Sequence, residues 1–226
     1  CKNKNSIRYR IEYTGHEIDE FEFHRDFIHA LIKKLFNKQT ATYRKKDNSI
    51  QTRLTSKALV TFFNKVIGIP FSPKYNIDIP DVIKGSNNKI KVAFLKGLGD
   101  TDFCFTLKKR DKKIHYYPSI SFGNKSKKLV KSVCKLLNGF GIPFSVQYDH
   151  KKLRNGVLTS INEINIYGVR NIEKWMGIVG FNSEKHLTKY RIWKKFGFCP
   201  PYTNIIQRKK ILDGSLDPKE SYSKIL

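Results

Sequence analysis

Two carboxylates, Asp100 and Asp102, flank Thr101 directly after the run Phe94-Leu95-Lys96-Gly97-Leu98-Gly99. Val92, Leu95 and Gly99 fall on one helical face, and Ala93, Phe94 and Gly97 also lack polar side chains, so the run reads as a helix ending near Asp102. At a helix C-terminus a carboxylate meets free carbonyls and the negative end of the macrodipole, which costs about 0.3 to 1 kcal/mol. A divalent cation reverses that sign, because carboxylate and carbonyl oxygens together make a hard-cation site. The same three residues also suit a plain turn between helix and strand, and composition alone favours that turn. Gly97 and Gly99 each cost roughly 1 kcal/mol inside a helix, which points to another backbone approaching closely there.

Other chemistries find less support. Cys1, Cys104, Cys134 and Cys199 are scattered singly, whereas zinc ribbons and redox sites need close pairs; they read as reduced thiols. The histidines, His16, His24, His29, His115, His150 and His186, have no paired metal spacing and read mostly as solvated or core residues. No apolar run approaches the roughly 18 to 20 residues of a membrane span, and the N-terminus lacks a signal-peptide layout. A soluble, cytoplasmic protein without a membrane partner is expected. The only methionine is Met176, so Cys1 is not an initiator and an upstream segment is expected.

The charge names the partner class. In 226 residues, 44 Lys and Arg against 19 Asp and Glu leave a formal net charge of +25, far beyond a solubility surplus and suited to a polyanion. Hydrophobic residues at 39% and aromatics at 13% suffice for a folded core rather than wholesale disorder.

The elements that must position Asp102 emerge from a repeat. Residues Tyr9 to Lys46 and Tyr117 to Lys152 each read strand, polar turn, amphipathic helix, strand. The match continues through Ser49 to Lys74 and Ile161 to Lys185, ending in Ser72-Pro73-Lys74 and Ser183-Glu184-Lys185. Such a long repeat is an internal duplication rather than a solenoid. The second copy is preceded by a further helix and strand, Lys89 to Arg110, while the first starts at a strand near Ile7, so its leading helix is missing from this chain.

Period-two alternation assigns the strand faces. Phe103, Phe105 and Leu107 oppose Cys104, Thr106, Lys108 and Arg110; Ile114, Tyr116, Ile120 and Phe122 oppose His115, Tyr117, Ser119 and Ser121. In the first copy Ile7, Tyr9 and Ile11 oppose Arg8 and Arg10, and Ile50, Thr52 and Leu54 oppose Gln51, Arg53 and Thr55. One face packs on helices; the other carries side chains that reach phosphates and base edges. An ordinary solvated face has the same alternation, but the net charge favours nucleic acid. The expected DNA contacts are Arg8, Arg10, Arg44, Gln51 and Arg53 in the first copy. In the second they are Thr106, Lys108, Arg110, His115, Tyr117, Ser119, Gln147 and Asn165.

At this point the segment Leu95-Lys96-Gly97-Leu98-Gly99-Asp100-Thr101-Asp102 resembles the LAGLIDADG motif of homing endonucleases, and the order of elements and the duplication extend the likeness over nearly the whole chain. The resemblance implies an α+β fold, a pseudo-two-fold duplication of αββαββα repeats with antiparallel saddle sheets backed by helices. It implies domains at 1–86, 87–186 and a basic helical tail at 187–226 that is split by Pro200-Pro201. It implies a site-specific double-strand DNA endonuclease acting on a long, near-asymmetric site with Mg2+ or another divalent cation, as a monomeric pseudo-dimer, with a homodimer left open. The alternative is a non-catalytic DNA-binding protein or an RNA-binding, maturase-like splicing factor.

Carried over by position, the resemblance makes Asp102 the catalytic metal ligand, gives Thr101 a metal-facing carbonyl, and leaves Asp100 and Gly97 as motif support. Lys74 and Lys185 match the basic residue that follows the last helix of each repeat and assists the reaction, which makes them the further catalytic candidates, with a phosphate contact or a plain surface charge as the alternatives. Two departures bear on activity: Phe103 stands where the motif has glycine, and the first motif helix with its acid is missing, which suits a fragment of a longer enzyme. An intein reading of Cys1 does not suit a chain ending Lys224-Ile225-Leu226.

Overall fold

A computed structural model describes residues 8–71, 76–154 and 156–223. The chain divides into two compact units, Cys1–Ile69 and Pro70–Leu226. In the first, β1 (Arg10–His16) leads through a π-helical turn, Phe23–Ile28, into α1 (His29–Phe36). Asn37 ends α1 in the left-handed region at φ 49°, and β2 (Ala41–Arg44), β3 (Ser49–Thr55) and α2 (Lys57–Lys65) follow. Ser56 starts α2 because its side chain accepts from Leu59 N at 3.3 Å, satisfying one of the helix's orphan donors.

The antiparallel sheet has the order β1-β3-β2. Its helix side is a small core of Ile28, Ile32 and Leu54, with Ile11, Tyr13, Phe23, Phe36 and Leu59 packed around it. Thr52 is fully buried there, and its Oγ1 is satisfied by His24 Nδ1 at 2.8 Å and Thr42 Oγ1 at 2.6 Å. Gly15 lets that histidine lie against the strand: a Cβ at this position would come within 2.6 Å of His24 Nε2. Burial lowers the His24 pKa, against the opposing charge of Glu20.

The second unit begins with the short α3 (Asp81–Lys84) and α4 (Asn88–Thr101), then β4 (Phe103–Lys108), β5 (Tyr117–Asn124) and α5 (Lys127–Gly139). It continues with β6 (Ser145–Arg154), β7 (Val157–Tyr167) and α6 (Val169–Ile178). The tail contributes α7 (Glu184–Phe196), α8 (Ile205–Asp213) and α9 (Glu220–Ser223). The sheet order is β4-β5-β7-β6, so β5-β7-β6 repeats the β1-β3-β2 arrangement of the first unit with one strand added at the edge.

The alternation in β4 is borne by burial: Phe103, Phe105 and Leu107 are buried, and Cys104 and Lys108 are exposed. Phe103 stacks on Phe122 at 4.8 Å and lies 5.0 Å from Trp175. The aromatic in place of the motif's last glycine is thus a core anchor, turned inward by strand parity while Asp102 stays exposed. The tail belongs to the same core, since Ile192 and Trp193 of α7 and Ile211 of α8 are buried in it. Two expectations shift. The strand near His115 begins only at Tyr117, because residues 109–116 form the turn out of β4, and Ile7 lies outside the described residues.

Candidate metal centre and nucleic-acid interface

The end of α4 separates the two acids by environment. Asn87 caps the helix by accepting from Ile90 N at 3.1 Å, and Leu95, Gly99 and Asp100 form its buried side. At Gly99 an added Cβ would stand 3.2 Å from the Trp175 ring and 3.4 Å from that of Phe181, so the close neighbours there are rings rather than a second backbone. At Gly97, which is exposed, the same Cβ would meet nothing within 4 Å among the described residues.

Asp100 is fully buried. Its Oδ1 accepts from Asn182 N at 2.7 Å and Ser183 N at 2.8 Å, and its Oδ2 from Asn182 Nδ2 at 2.9 Å. Burial raises its pKa despite these three donors. The carboxylate therefore ties the end of α4 to the start of α7, where negative charge meets free N–H groups and the positive end of the helix. Asp102, two residues on, is exposed. Thr101 Oγ1 lies 2.8 Å from Asp102 Oδ2 and 3.1 Å from Gly97 O, so its single proton is shared between carboxylate and carbonyl.

Helix α7 also covers the open edge of β4. His186 Nδ1 accepts from Phe105 N and Lys189 Nζ donates to Phe105 O, both at a long 3.5 Å. Unpaired edge-strand groups are a liability unless covered in this way. Burial pushes the His186 imidazole down to about 3 and lowers Lys189 as well. Lys185 stands half-buried in the first turn of α7, at the junction that Asp100 ties to α4. Lys74 lies outside the described residues.

The donor set at Asp102 suits a hard cation: a solvent-accessible carboxylate, a threonine hydroxyl and helix-end carbonyls, all oxygen. Among the described residues no group of three or more His, Cys, Asp or Glu could hold a metal ion. A hard divalent cation at this carboxylate would keep waters and take phosphate oxygens rather than be caged wholly by protein.

The polar sheet faces are built differently in the two units. In the second, Thr106 Oγ1 and Ser119 Oγ pair at 3.0 Å, Arg110 lies over the Tyr117 ring at 4.0 Å, and Lys108 lies over Tyr167 at 4.8 Å. Gln147 is exposed beside the irregularity in β6. In the first, Arg8 is exposed, and Arg10, Gln51 and Arg53 gather around one acid, Glu12.

Several residues expected on an open face are placed elsewhere. Ser119, Gln51 and Asn165 are only 0%, 6% and 8% exposed, because strand parity assigns a face but says nothing of neighbours lying over it. Arg44 follows the helix-side parity of Thr42, and its guanidinium turns to Glu17 at 3.1 Å and over the Phe21 ring. His115 stacks on Tyr222, whose hydroxyl accepts from its backbone N at 2.8 Å. Sequence reasoning missed Glu12, although period-two counting from Arg10 places it on the same face, and it missed Asn182, which no local pattern links to Asp100.

Comparison with known proteins follows the same segment. A family model for a LAGLIDADG-like domain matches residues 89–180. An uncharacterized protein of Methanocaldococcus jannaschii is 23% identical over 157 residues, which are 69% of this chain and 56% of that protein. The chain thus spans little more than half the length of that relative. Among solved structures, the homing endonuclease I-DmoI in complex with DNA and Mn aligns with a TM-score of 0.53 at 20% identity, over 79% of this chain and 84% of its own. The meganuclease I-SmaMI bound to uncleaveable DNA aligns with a TM-score of 0.54 at 13% identity, over 97% and 85%. Among the described residues no helix is long and apolar enough to cross a membrane.

Proposed function

We propose, for a chain that carries a LAGLIDADG-like domain and has the fold of homing endonucleases, that it is a site-specific endonuclease of double-stranded DNA, hydrolysing phosphodiester bonds with a divalent cation at Asp102. One observation carries the reading. Of the two motif acids, Asp100 is buried and consumed by the start of α7, while Asp102 is exposed at the helix end beside Thr101. A structural turn has no need to hold one acid rigid and present the other to solvent.

A hard divalent cation bound there supplies a Lewis acid for the charge that develops on phosphate and a lowered pKa for an attacking water. Asp102 holds it, the Thr101 hydroxyl fixes the carboxylate's rotamer, and the Asp100 clamp fixes the backbone that carries both. Lys185, and by sequence correspondence Lys74, serve as phosphate contacts next to the reacting group. The sheet faces supply the DNA contacts, with Arg8, Arg10, Lys108 and Arg110 for phosphates, and Mg2+ as the working ion. The cytoplasmic setting belongs to the same proposal.

A second reading, DNA binding without cleavage, is favoured by one specific observation. The sequence carries one such motif, and so one motif acid at the metal end of α4, and the described residues hold no cluster of three or more His, Cys, Asp or Glu. The experiment that decides is cleavage of a randomised duplex library by the full chain with Mg2+ or with EDTA, beside Asp102→Asn. Metal-dependent cuts at a discrete site, reduced more than about 100-fold in the variant with binding retained, are expected for the enzyme. Tight specific binding that never cuts, with wild type and variant alike, refutes the enzyme and leaves the binding protein.

A further inference from the structure

We propose that Glu12 reads a base. In this inference, which rests on the DNA-binding reading above, it is the specificity-determining residue of the first unit's sheet and accepts a hydrogen bond from the amino group of a cytosine or adenine in the major groove. The argument starts from an apparent misfit. A carboxylate on a surface that meets phosphates is repelled by them, and a face that merely tracked the backbone would be stronger without it. What a carboxylate offers in exchange is acceptance alone. The donors that the major groove presents are the amino groups of cytosine N4 and adenine N6.

The surroundings of Glu12 hold it ready for that task. It lies on β1 with Arg10 two residues before it on the same face and Arg53 directly opposite on β3. Its Oε1 stands 3.5 Å from Arg10 NH1 and 3.3 Å from Arg53 Nε, and its Oε2 accepts from Gln51 Nε2 at 3.0 Å. Gln51 makes the hydrogen bond to this carboxylate, while the guanidiniums stand at ion-pair distance and Arg53 Nε gives its proton to Gln51 Oε1, so of the roughly four acceptor positions of a carboxylate some remain for a base. The two guanidiniums among these partners also neutralise the acid, which lowers the cost of bringing it to DNA. The partners are themselves fixed: Arg53 Nε donates to Gln51 Oε1 at 2.9 Å, its guanidinium lies 4.8 Å over the Tyr43 ring, and Gln51 is buried. The side chain of Glu12 remains 33% exposed, enough to be reached.

The second unit lacks this device at the matching position. Strands β3 and β7 both end one residue before a helix N-cap, Ser56 and Gly168, which matches Thr55 with Tyr167. Thr55 opposes Arg10 and Tyr167 opposes Ser119, so Glu12, opposite Arg53, corresponds to Ser121, opposite Asn165. A serine hydroxyl both donates and accepts, and an asparagine amide does the same. Those groups tolerate several bases, whereas an acceptor held by two guanidiniums does not.

The test is binding selection from a randomised duplex library in EDTA by the full chain, wild type against Glu12→Gln, Glu12→Ala and Arg53→Lys. The wild type is expected to demand cytosine or adenine at one position. That preference should fall about 5- to 140-fold in Glu12→Ala, and should move toward adenine in Glu12→Gln, because an amide pairs with adenine N6 and N7. Arg53→Lys keeps the charge but removes the Nε contacts, and is expected to relax the same position and no other. If both Glu12 variants instead bind every duplex more tightly and alike, with unchanged preferences, Glu12 only shields Arg10 and Arg53 and the inference is overturned. A wild type that selects no site overturns the DNA-recognition reading itself, which is a different result from a selected site indifferent to Glu12.

Discussion

Single residues at the α4–α7 junction carry a stability signature that the exposed acid does not. His186 is fully buried, and its imidazole is held near 3 chiefly by burial, with Lys185 and Lys189 adding to the effect and the Asp100 backbone opposing it. Its folded-state pKa lies below the unfolded value of about 6.5, so between the two the unfolded chain binds the extra proton. Stability from this residue is therefore complete above roughly pH 6.5 and is lost as pH falls toward 3, by an amount on the order of 3 to 5 kcal/mol. Asp100 acts in the opposite sense, since burial raises its pKa and protonation favours the folded form. Urea unfolding from pH 7 to pH 4 should show the wild type losing stability on the acid side. The variant His186→Asn, whose Oδ1 can replace Nδ1 as acceptor for Phe105 N, should start lower but fall less. Parallel profiles for the two proteins would contradict the assignment to His186.

At the scale of elements, α4 makes opposite demands of its two glycines. Among the described residues nothing lies within 4 Å of a Cβ added at Gly97, so Gly97→Ala is expected to stabilise the second unit by up to about 1 kcal/mol through helix propensity alone. Gly99 faces Trp175 at 3.2 Å and Phe181 at 3.4 Å, so Gly99→Ala gains the same propensity but must displace rings in a packed core, for a net cost of about 1 kcal/mol or more. Thermal melts of the two variants should move in opposite directions, and a shared direction would mean that propensity or packing has been misjudged. A Gly97→Ala protein that melts higher yet cuts DNA less would further indicate that this open side of α4 needs its bare backbone during function. Much of this element was legible in advance: Leu95 and Gly99 share a helical stripe, and the repeat order recurs in the two sheets because periodicity records which side of each strand meets helices. The partner of Asp100 was not legible, since Asn182 lies 82 residues away and is brought in by the path of α7. Nor was the burial of Gln51, which depends on the cross-strand register that sets Glu12 opposite Arg53 and on Tyr43 lying opposite Gln51.

For the whole molecule, the charge of +25 explains attraction to DNA but not choice among sequences. If 6 to 10 phosphates are neutralised, affinity should fall by about 10³ to 10⁵ between 50 and 200 mM salt, for cognate and unrelated duplexes alike. What separates the cognate site must come from the two sheets, and these differ in kind. The first sets an acid, Glu12, among Arg10, Gln51 and Arg53, while the second has the neutral Ser121 at the matching position and carries Lys108 and Arg110 over its tyrosine rings. Faces with such different donors and acceptors cannot favour the same base order, so the selected duplex is expected to be non-palindromic. Its advantage over unrelated DNA should survive the loss of absolute affinity as salt rises. Selection at two salt concentrations measures both quantities at once. Recovery of a perfect palindrome would mean that one face does all the reading, with two chains on one duplex, and would contradict the expectation that both sheets contribute to the choice of site.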